Sequence, residues 1–309
     1  MKNKTITVEE RLKKLKRKFI IITAVLSLVI LLLGFYIYLN YDYLAFKHFM
    51  TGFYIYTDTL DELYAKELKS DVKGSYYQYF DDVVISVLTR RIREINNDRY
   101  TYLYTPERYK EYKKEEKEEA LLSEIKVLDD RNVYLRLSNF SKYTEKFMKD
   151  NTKLLSRYPG IIIDLRDNYG GDIDAMAAIS GLFLPKGSII ATDKLRLLDW
   201  VYKARGGKVL NFEKIIILQN RNTASASENM IAALKDNLDN VILIGEDTFG
   251  KGIGQYTLPL KKGFAAKATI LKWFTPNGVN IQGKGIKPDI PYTDSDIIEY
   301  AVENLKEGK

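Results

Sequence analysis

The feature that most constrains this chain is an uncharged, apolar run near the N-terminus, from residue 19 to residue 39. A helix over this run, at about 1.5 Å per residue, crosses a hydrocarbon layer about 30 Å thick. Residues 1–18 before the run are basic, and such flanks stay on the cytoplasmic side of a membrane. Tyrosines at the far end of the run would form an interfacial aromatic belt: Tyr36, Tyr38, Tyr41 and Tyr43. We therefore predict a cytoplasmic tail over 1–18, a single-pass signal-anchor over 19–39 in the cell membrane, and an extracytoplasmic body.

The alternatives for this run are a cleaved signal peptide and a buried core helix. A signal peptide has an apolar core of only about 7–15 residues, followed by a small-residue cleavage site. Here the run is longer, and bulky Tyr and Leu residues end it. A core helix would not need such a one-sided basic flank. Both alternatives are therefore less favoured than an uncleaved anchor.

The charges outside the anchor exclude one class of partner. Of the net charge of +7, residues 1–40 carry eight basic and two acidic side chains, so residues 41–309 are close to neutral. We expect no nucleic-acid partner, because such proteins carry a basic surface. With no Cys and a single His, the chain has no disulfides, no cysteine-based metal site and no multi-histidine metal centre. We expect neither a metal nor a cofactor.

Residues 40–128 predict a helical N-terminal region. Apolar residues recur at helical spacing over 76–95, at Tyr79, Val83, Val84, Val87, Leu88 and Ile92. A second helix should begin after Thr105, which can cap it, with Pro106 in its first position. The Lys and Glu residues that follow indicate a solvated helix face rather than a binding tract.

Residues 129–309 predict an α/β domain. Short apolar strands at 132–140, 160–165, 214–220 and 240–245 alternate with helices at 141–158, 172–184 and 224–237. This alternation is typical of a mostly parallel sheet. Ligands and catalytic groups of such sheets gather beyond the carboxyl ends of the strands.

Two of the three loops in that position contain runs of small residues. In the first, the adjacent Gly170 and Gly171 allow backbone N–H groups to face a ligand. The competing interpretation is a plain turn, braced by Asp164 and Arg166. The second, residues 222–228, is a strand-to-helix turn where a serine hydroxyl can project toward a helix N-terminus. The competing interpretation there is an N-cap with a capping-box glutamate.

The third loop, residues 245–252, superficially fits a phosphate-binding loop. Gly252 stands where that motif requires Ser or Thr, and the residues after it predict a strand rather than a helix. A membrane nucleoside triphosphatase is therefore disfavoured.

Taken together, the loops indicate acyl transfer by a serine, which needs a base. The lone histidine, His48, lies beyond the apolar run and in a different stretch of the chain. Lys251 is the better candidate, because burial lowers a lysine pKa from about 10.4 toward neutrality. Ser-Lys pairs are an established variant of the serine triad.

Four separated motifs carry a family resemblance: DLRDNYGGD at 164–172, TASASEN at 223–229, GEDTFGKGIGQ at 245–255 and FTPNGVNIQGKGIKPDI at 274–290. In that order they resemble the C-terminal processing serine proteases, the tricorn-core group. Residues 98–107 also resemble the segment that precedes the PDZ domain in this family. The resemblance covers about 98–291 and implies a crotonase/ClpP-like α/β core that cleaves protein or peptide substrates.

The resemblance also implies roles for particular residues. Ser225 in the second loop matches the nucleophile, and Lys251 in the third loop matches the general base. Gln255 matches a glutamine that orients the lysine in several members. The oxyanion hole would use backbone N–H groups of Gly170 or Gly171 and of Ala226.

One departure from the family concerns the PDZ domain. Pro106 and Asn132 lie too close in the sequence to leave room for such a domain between them, and a charged helix is predicted there instead. Recognition through that domain cannot be carried over, and a homo-oligomer or an adaptor would have to replace it. We predict a membrane-anchored Ser-Lys endopeptidase with its peptidase domain at 129–309. The alternative is a non-catalytic binding or scaffold protein that keeps the fold.

Overall fold

The structure of the protein is a computed structural model that describes residues 8–56, 81–206 and 210–306. The first residues of the predicted cytoplasmic tail and the start of the helix predicted over 76–95, with Tyr79, lie outside the described residues.

The apolar run belongs to one long helix, α1, Val8–Phe53. Its apolar part is entirely unburied, and by length and composition it could cross a membrane or serve as a signal sequence. From residue 40 onward one face of the same helix is buried, and Tyr43, Phe46 and Met50 join a hydrophobic cluster. The helix therefore passes without interruption from an exposed apolar rod into the core of the body.

Six further α-helices lie in the described residues, and all but the last of them were predicted. They are α2 Asp81–Asn96, α3 Pro106–Ala120, α4 Lys142–Leu155, α5 Ile173–Ser180, α6 Ala226–Asn237 and α7 Ile297–Lys306. The start of α3 is as predicted: the Thr105 side chain accepts a hydrogen bond from Arg108 N, and Pro106 opens the first turn. Ser141 and Thr144 form a capping box at α4, and Asp172 caps α5.

The strands divide between two sheets. They are β1 Tyr102–Tyr104, β2 Glu124–Val127, β3 Asn132–Arg136, β4 Gly160–Asp164, β5 Ile189–Leu195, β6 Asp199–Lys203, β7 Lys214–Gln219, β8 Val241–Gly245, β9 Ile253–Pro259, β10 Ala265–Phe274 and β11 Ile290–Pro291. The first sheet has the order β11-β8-β7-β4-β3-β2. Its strands pair in parallel except β2, which is antiparallel to β3. The mixed α/β fold and the mostly parallel sheet are therefore as predicted.

The second sheet is antiparallel, in the order β1-β10-β5-β6, with β9 also paired to β10. Of these strands, only β9 was expected from the sequence. β1 and β2 also add strand to a region, 40–128, that was expected to be helical.

The parallel sheet has apolar layers on both faces. Helices α4, α5 and α6 pack on one face against residues such as Ile161, Ile163 and Ile217. Helix α7 covers the other face, where Ile162 and Ile216 meet Ile297 and Ala301. Because β4 and β7 are covered on both faces, their sequences are continuous apolar runs rather than alternating ones. This sheet holds the loops that follow β4, β7 and β8.

Candidate active site

The three loops singled out in the sequence meet at the carboxyl edge of the parallel sheet. Ala224 N donates to Asn168 O over 3.0 Å, which joins the second loop to the first. Phe249 N donates to Thr223 O over 3.0 Å, which joins the third loop to the second. The neighbouring parallel strands β4, β7 and β8 bring these loops together because their carboxyl ends share one edge.

The first loop approaches the second so closely that only glycine fits at its tip. Gly170 has a φ of 102°, and a Cβ there would lie 2.8 Å from Ala224 O and 2.9 Å from Ala226 N. The same atom would lie 2.9 Å from the Cβ of Ser225. The glycine pair is therefore more than a plain turn, because Gly170 lets the first loop lie in close contact with the backbone around Ser225.

Hydrogen bonds within and next to the first loop hold it in place, as the sequence suggested. Arg166 donates to both carboxylate oxygens of the buried Asp164. Asn168, also buried, donates to Leu137 O over 2.8 Å and accepts from Gly170 N over 2.9 Å.

This last bond bears on the expected oxyanion donors. Gly170 N–H is already bonded to the Asn168 side chain and is therefore not free for a ligand. Among the described residues, neither Gly171 N–H nor Ala226 N–H makes a hydrogen bond. Of the expected donors, Gly171 and Ala226 are the ones left available.

Ser225 immediately precedes α6 and has an unusual backbone, with φ 58° and ψ −116°. An ordinary N-cap serine lies in the β region. A left-handed φ in a residue that carries a side chain costs about 1–3 kcal/mol and concentrates at functional sites. The geometry therefore favours a projecting hydroxyl over a simple cap, although Glu228 does accept from Ser225 N as a capping-box glutamate would.

Glu228, fully buried in the first turn of α6, connects the serine loop with the lysine loop. Its Oε2 accepts from Ser225 N over 2.8 Å and from Lys251 N over 2.9 Å. Its Oε1 accepts from Thr248 Oγ1 and from Gly250 N, each over 2.6 Å. Burial raises the pKa of Glu228, and these four donors oppose that shift by stabilising the carboxylate.

This bridging role was missed in the sequence, where Glu228 was identified only as a capping residue. The capping spacing could have found the bond to Ser225. No local signal pointed to the third loop, because the rest of α6 and all of β8 separate it from Glu228 in the chain.

The surroundings of Lys251 make its neutral form easier to reach than that of an ordinary lysine. Burial lowers its pKa to about 8, assisted by the positive charges of Lys267 and Arg99. Its Nζ lies 4.8 Å from the centre of the Tyr100 ring, and its backbone carbonyl accepts from Trp273 Nε1 over 2.8 Å. The main chain at Lys251 is therefore fixed from two sides, by Glu228 and by Trp273.

The structure brings the main chains of Ser225 and Lys251 together but does not join their side chains. Within the described part of the chain, no hydrogen bond links Lys251 Nζ to Ser225 Oγ or to Gln255 Oε1. Catalytic hydrogen bonds in ligand-free enzymes are often long and tighten when substrate binds. Gln255 lies on β9 and donates instead to Thr269 Oγ1 over 3.3 Å.

A histidine base, a metal site and a phosphate-binding loop are the other arrangements to compare with the described residues at this site. His48 is exposed on α1, edge-on to Phe53, and takes no part in the three loops. In the ranges that the structure describes, no three His, Cys, Asp or Glu side chains are grouped to hold a metal ion. A strand, β9, follows Lys251 where a phosphate-binding loop would need a helix.

Comparison with known proteins gives a family match. The profile of peptidase family S41 matches residues 131–292. The carboxy-terminal processing protease CtpA of Bacillus subtilis is 35% identical over 198 residues, which cover 58% of this chain and 40% of the relative. A carboxy-terminal-processing protease of Bartonella bacilliformis is 37% identical over 164 residues, 51% of this chain and 38% of the relative. The matches therefore span less than half the length of these relatives.

Among solved structures, a lipoprotein from Streptococcus agalactiae has a similar fold. The TM-score is 0.64 at 17% identity, over 87% of this chain and 96% of that chain. At this identity the similarity concerns the fold alone. It extends over nearly the whole of that structure.

Proposed function

The chain belongs to peptidase family S41, and from that membership and the geometry of the site we propose that it is a membrane-anchored serine endopeptidase with Ser225 as nucleophile and Lys251 as general base. The observation that carries the proposal is the Glu228 carboxylate, which binds the main-chain N–H groups of both residues. The serine loop and the lysine loop are thereby held next to each other by hydrogen bonds to one buried side chain. The left-handed backbone of Ser225 adds to this support.

The reaction begins with proton transfer from Ser225 to Lys251. The neutral amine of Lys251 takes the hydroxyl proton while Ser225 Oγ bonds to the carbonyl carbon of the substrate peptide. The carbonyl oxygen becomes an oxyanion, which the N–H groups of Gly171 and Ala226 stabilise, at about 3 kcal/mol for each well-placed donor. The Lys251 ammonium then returns the proton to the departing amine, and an acyl-enzyme remains.

Hydrolysis of the acyl-enzyme repeats the sequence with water. Lys251 removes a proton from the water as its oxygen attacks the ester carbonyl, and the same N–H groups stabilise the second oxyanion. Collapse releases the new carboxyl end of the substrate, and the proton returns to Ser225 Oγ. Gln255 belongs beside the lysine in this proposal, with its amide orienting the amine.

Membrane anchoring is the second part of the proposal. The helix α1 carries an exposed apolar stretch that begins directly after a basic segment. At the other end of that stretch, the ammonium of Lys261 lies 4.3 Å from the ring centre of Tyr38 and 5.1 Å from that of Tyr41. Tyrosine and lysine are residues that favour a membrane interface. The N-terminus then faces the cytoplasm and the peptidase domain the outside.

The test uses the full chain in detergent micelles, with an unfolded protein as substrate. We expect Ser225→Ala and Lys251→Ala to abolish hydrolysis. Ser156→Ala and Lys149→Ala, exposed positions at helix α4 outside the three loops, should retain the wild-type rate. Wild-type hydrolysis by either Ser225→Ala or Lys251→Ala overturns the assignment.

A non-catalytic scaffold is the competing function, because the side chains of Ser225 and Lys251 are not hydrogen-bonded to each other in the described part of this structure. A serine-directed fluorophosphonate separates the two functions. A peptidase is labelled at Ser225 and the Lys251→Ala variant is not. A scaffold leaves the wild-type protein unlabelled and captures a protein partner in a pull-down.

A further inference from the structure

We propose that Asp98 is a positioning residue for Lys251 and Gln255, and that the end of helix α1 completes this arrangement through Tyr54. The inference rests on the proposed function, because it concerns the same catalytic centre. Asp98 lies in the turn between α2 and β1, far before the lysine in the sequence, and is 4% exposed.

Both carboxylate oxygens of Asp98 are fully engaged. Oδ1 accepts from Tyr100 N over 3.1 Å and from Thr269 Oγ1 over 3.2 Å. Oδ2 accepts from Thr101 Oγ1 over 2.6 Å and from Tyr54 OH over 3.1 Å. A buried carboxylate with four donors is fixed in orientation, because a rotation would break several of these hydrogen bonds at once.

The first route from Asp98 to the site runs through Thr269. The Thr269 hydroxyl donates to Asp98 and accepts from Gln255 Nε2 over 3.3 Å. Its main-chain N–H donates to Thr101 Oγ1, and the residue is fully buried. Strand β10 is irregular directly after Thr269, where its pairing with β9 shifts register. Such irregularities next to active sites redirect side chains.

The second route runs through Tyr100. Asp98 holds the main chain of Tyr100 by its N–H, and the Tyr100 ring centre lies 4.8 Å from Lys251 Nζ. A lysine over an aromatic face is held by the negative potential of the ring. The Asp98 carboxylate therefore holds both Tyr100, whose ring lies next to the lysine amine, and Thr269, which accepts a hydrogen bond from the glutamine.

The end of helix α1 contacts Asp98 and Thr269. Tyr54 directly follows the last residue of α1, is fully buried and donates to Asp98. The next residue, Ile55, donates its main-chain N–H to Thr269 O over 3.2 Å. The residues at the end of α1 are therefore hydrogen-bonded to both Asp98 and Thr269.

A purely structural role is the alternative, in which Asp98 only closes the turn before β1 through Tyr100 N and Thr101. That role predicts a loss of stability without any change in how the remaining activity depends on pH. The positioning role predicts a change at the lysine itself. Removing the negative charge of Asp98 withdraws a group that raises the pKa of Lys251, so the pKa falls.

The experiment measures kcat/KM against pH, the rate of fluorophosphonate labelling and Tm for the full chain in detergent micelles. Asp98→Asn should lower kcat/KM about tenfold or more and move its acid limb to lower pH, since the lysine is misplaced and has lost an anionic neighbour. Tyr54→Phe should lower kcat severalfold with KM nearly unchanged. Tyr292→Phe, which removes a tyrosine–aspartate hydrogen bond while the ring still stacks on Tyr300 of α7, should leave both constants unchanged.

Two variants at Thr269 provide a second test, which remains possible if Asp98→Asn does not fold. Thr269→Val removes the hydroxyl link at nearly constant volume and should lower kcat about tenfold, whereas Thr269→Ser restores the hydroxyl and most of the activity. Wild-type kcat and pH profile in folded Asp98→Asn, or in Thr269→Val, overturn the inference. Failure of the proposed function itself is recognised separately, by hydrolysis that persists in Ser225→Ala.

Discussion

A lysine acts as a general base only when its amine is neutral, and the groups around Lys251 determine how much of it is neutral. Burial lowers the pKa of Lys251 to about 8, and the positive charges of Lys267 and Arg99 add to this effect. Glu228 and Asp98 act in the opposite direction. At pH 7 the protonated form therefore still predominates, and kcat/KM should rise with pH to a plateau above about 8.

Lys267 supplies the residue-level test of this balance. In Lys267→Gln the repulsion that disfavours the Lys251 ammonium is removed, so the pKa of Lys251 rises and the acid limb of kcat/KM moves to higher pH. Activity at pH 7 should fall severalfold while the plateau is retained. Lys149→Gln, which removes an exposed lysine on α4, should leave the limb in place. An acid limb that does not move in Lys267→Gln would show that another group limits the reaction.

Glu228 permits a second test at the same scale. A glutamine there has nearly the same shape, but its NH₂ must face two of the four donors that the carboxylate now accepts from. We expect Glu228→Gln to lose about 1–3 kcal/mol of stability. We also expect kcat to fall at least tenfold, because the serine and lysine loops lose their common acceptor. Thermal unfolding and steady-state kinetics measure the two effects, with the exposed Glu111→Gln as the matched control. Reduced stability with wild-type kcat would leave Glu228 only a structural role.

At the scale of elements, the site depends on the contact between the loop after β4 and the start of α6. Gly170→Ala would combine an unfavourable positive φ with a Cβ less than 3.0 Å from three atoms of the serine turn. The two turns must then separate, which moves the Ala226 N–H away from the proposed oxyanion position. We expect kcat/KM to fall about a hundredfold, as for displacements of about 1 Å in a catalytic group.

Gly278 provides the matched control for this contact. It also has a positive φ, 77°, but nothing lies within 4 Å of its ideal Cβ position. Gly278→Ala should therefore cost about 1 kcal/mol of stability through backbone strain alone and leave kcat/KM unchanged. Equal effects of the two substitutions on kcat/KM would mean that strain, and not the contact, accounts for the loss at Gly170.

The same scale shows which elements could be predicted from sequence. Strands β4 and β7 are buried on both faces, so their apolar runs and the loops after them were visible without a structure. Strand β6, in contrast, is largely exposed and has no apolar run that distinguishes it, and its position depends on pairing with β5. The loops that hold Ser225 and Lys251 were predictable from local motifs. The contact of Asp98 with Thr269 was not, because it joins segments that lie far apart in the chain.

At the scale of the whole molecule, α1 is both the apolar rod and part of the folded body. Its exposed part ends near residue 39. Tyr43, Phe46 and Met50 on the same helix are buried with Leu260, which follows β9, and with residues of β10. For the proposed membrane anchor, the direction of α1 decides on which side of the membrane the peptidase domain lies.

That direction can be measured directly, because the chain has no cysteine and a single introduced thiol will be the only one. The basic residues before the apolar run should keep the N-terminus in the cytoplasm. A membrane-impermeant maleimide should therefore label Ser156→Cys, an exposed position on the peptidase domain, in intact cells. Asn3→Cys should react only after the membrane is permeabilised, and a tag at the N-terminus should remain on the full-length chain. Labelling of Asn3→Cys in intact cells would reverse the orientation, and loss of the tag with release of the body would identify α1 as a cleaved signal sequence.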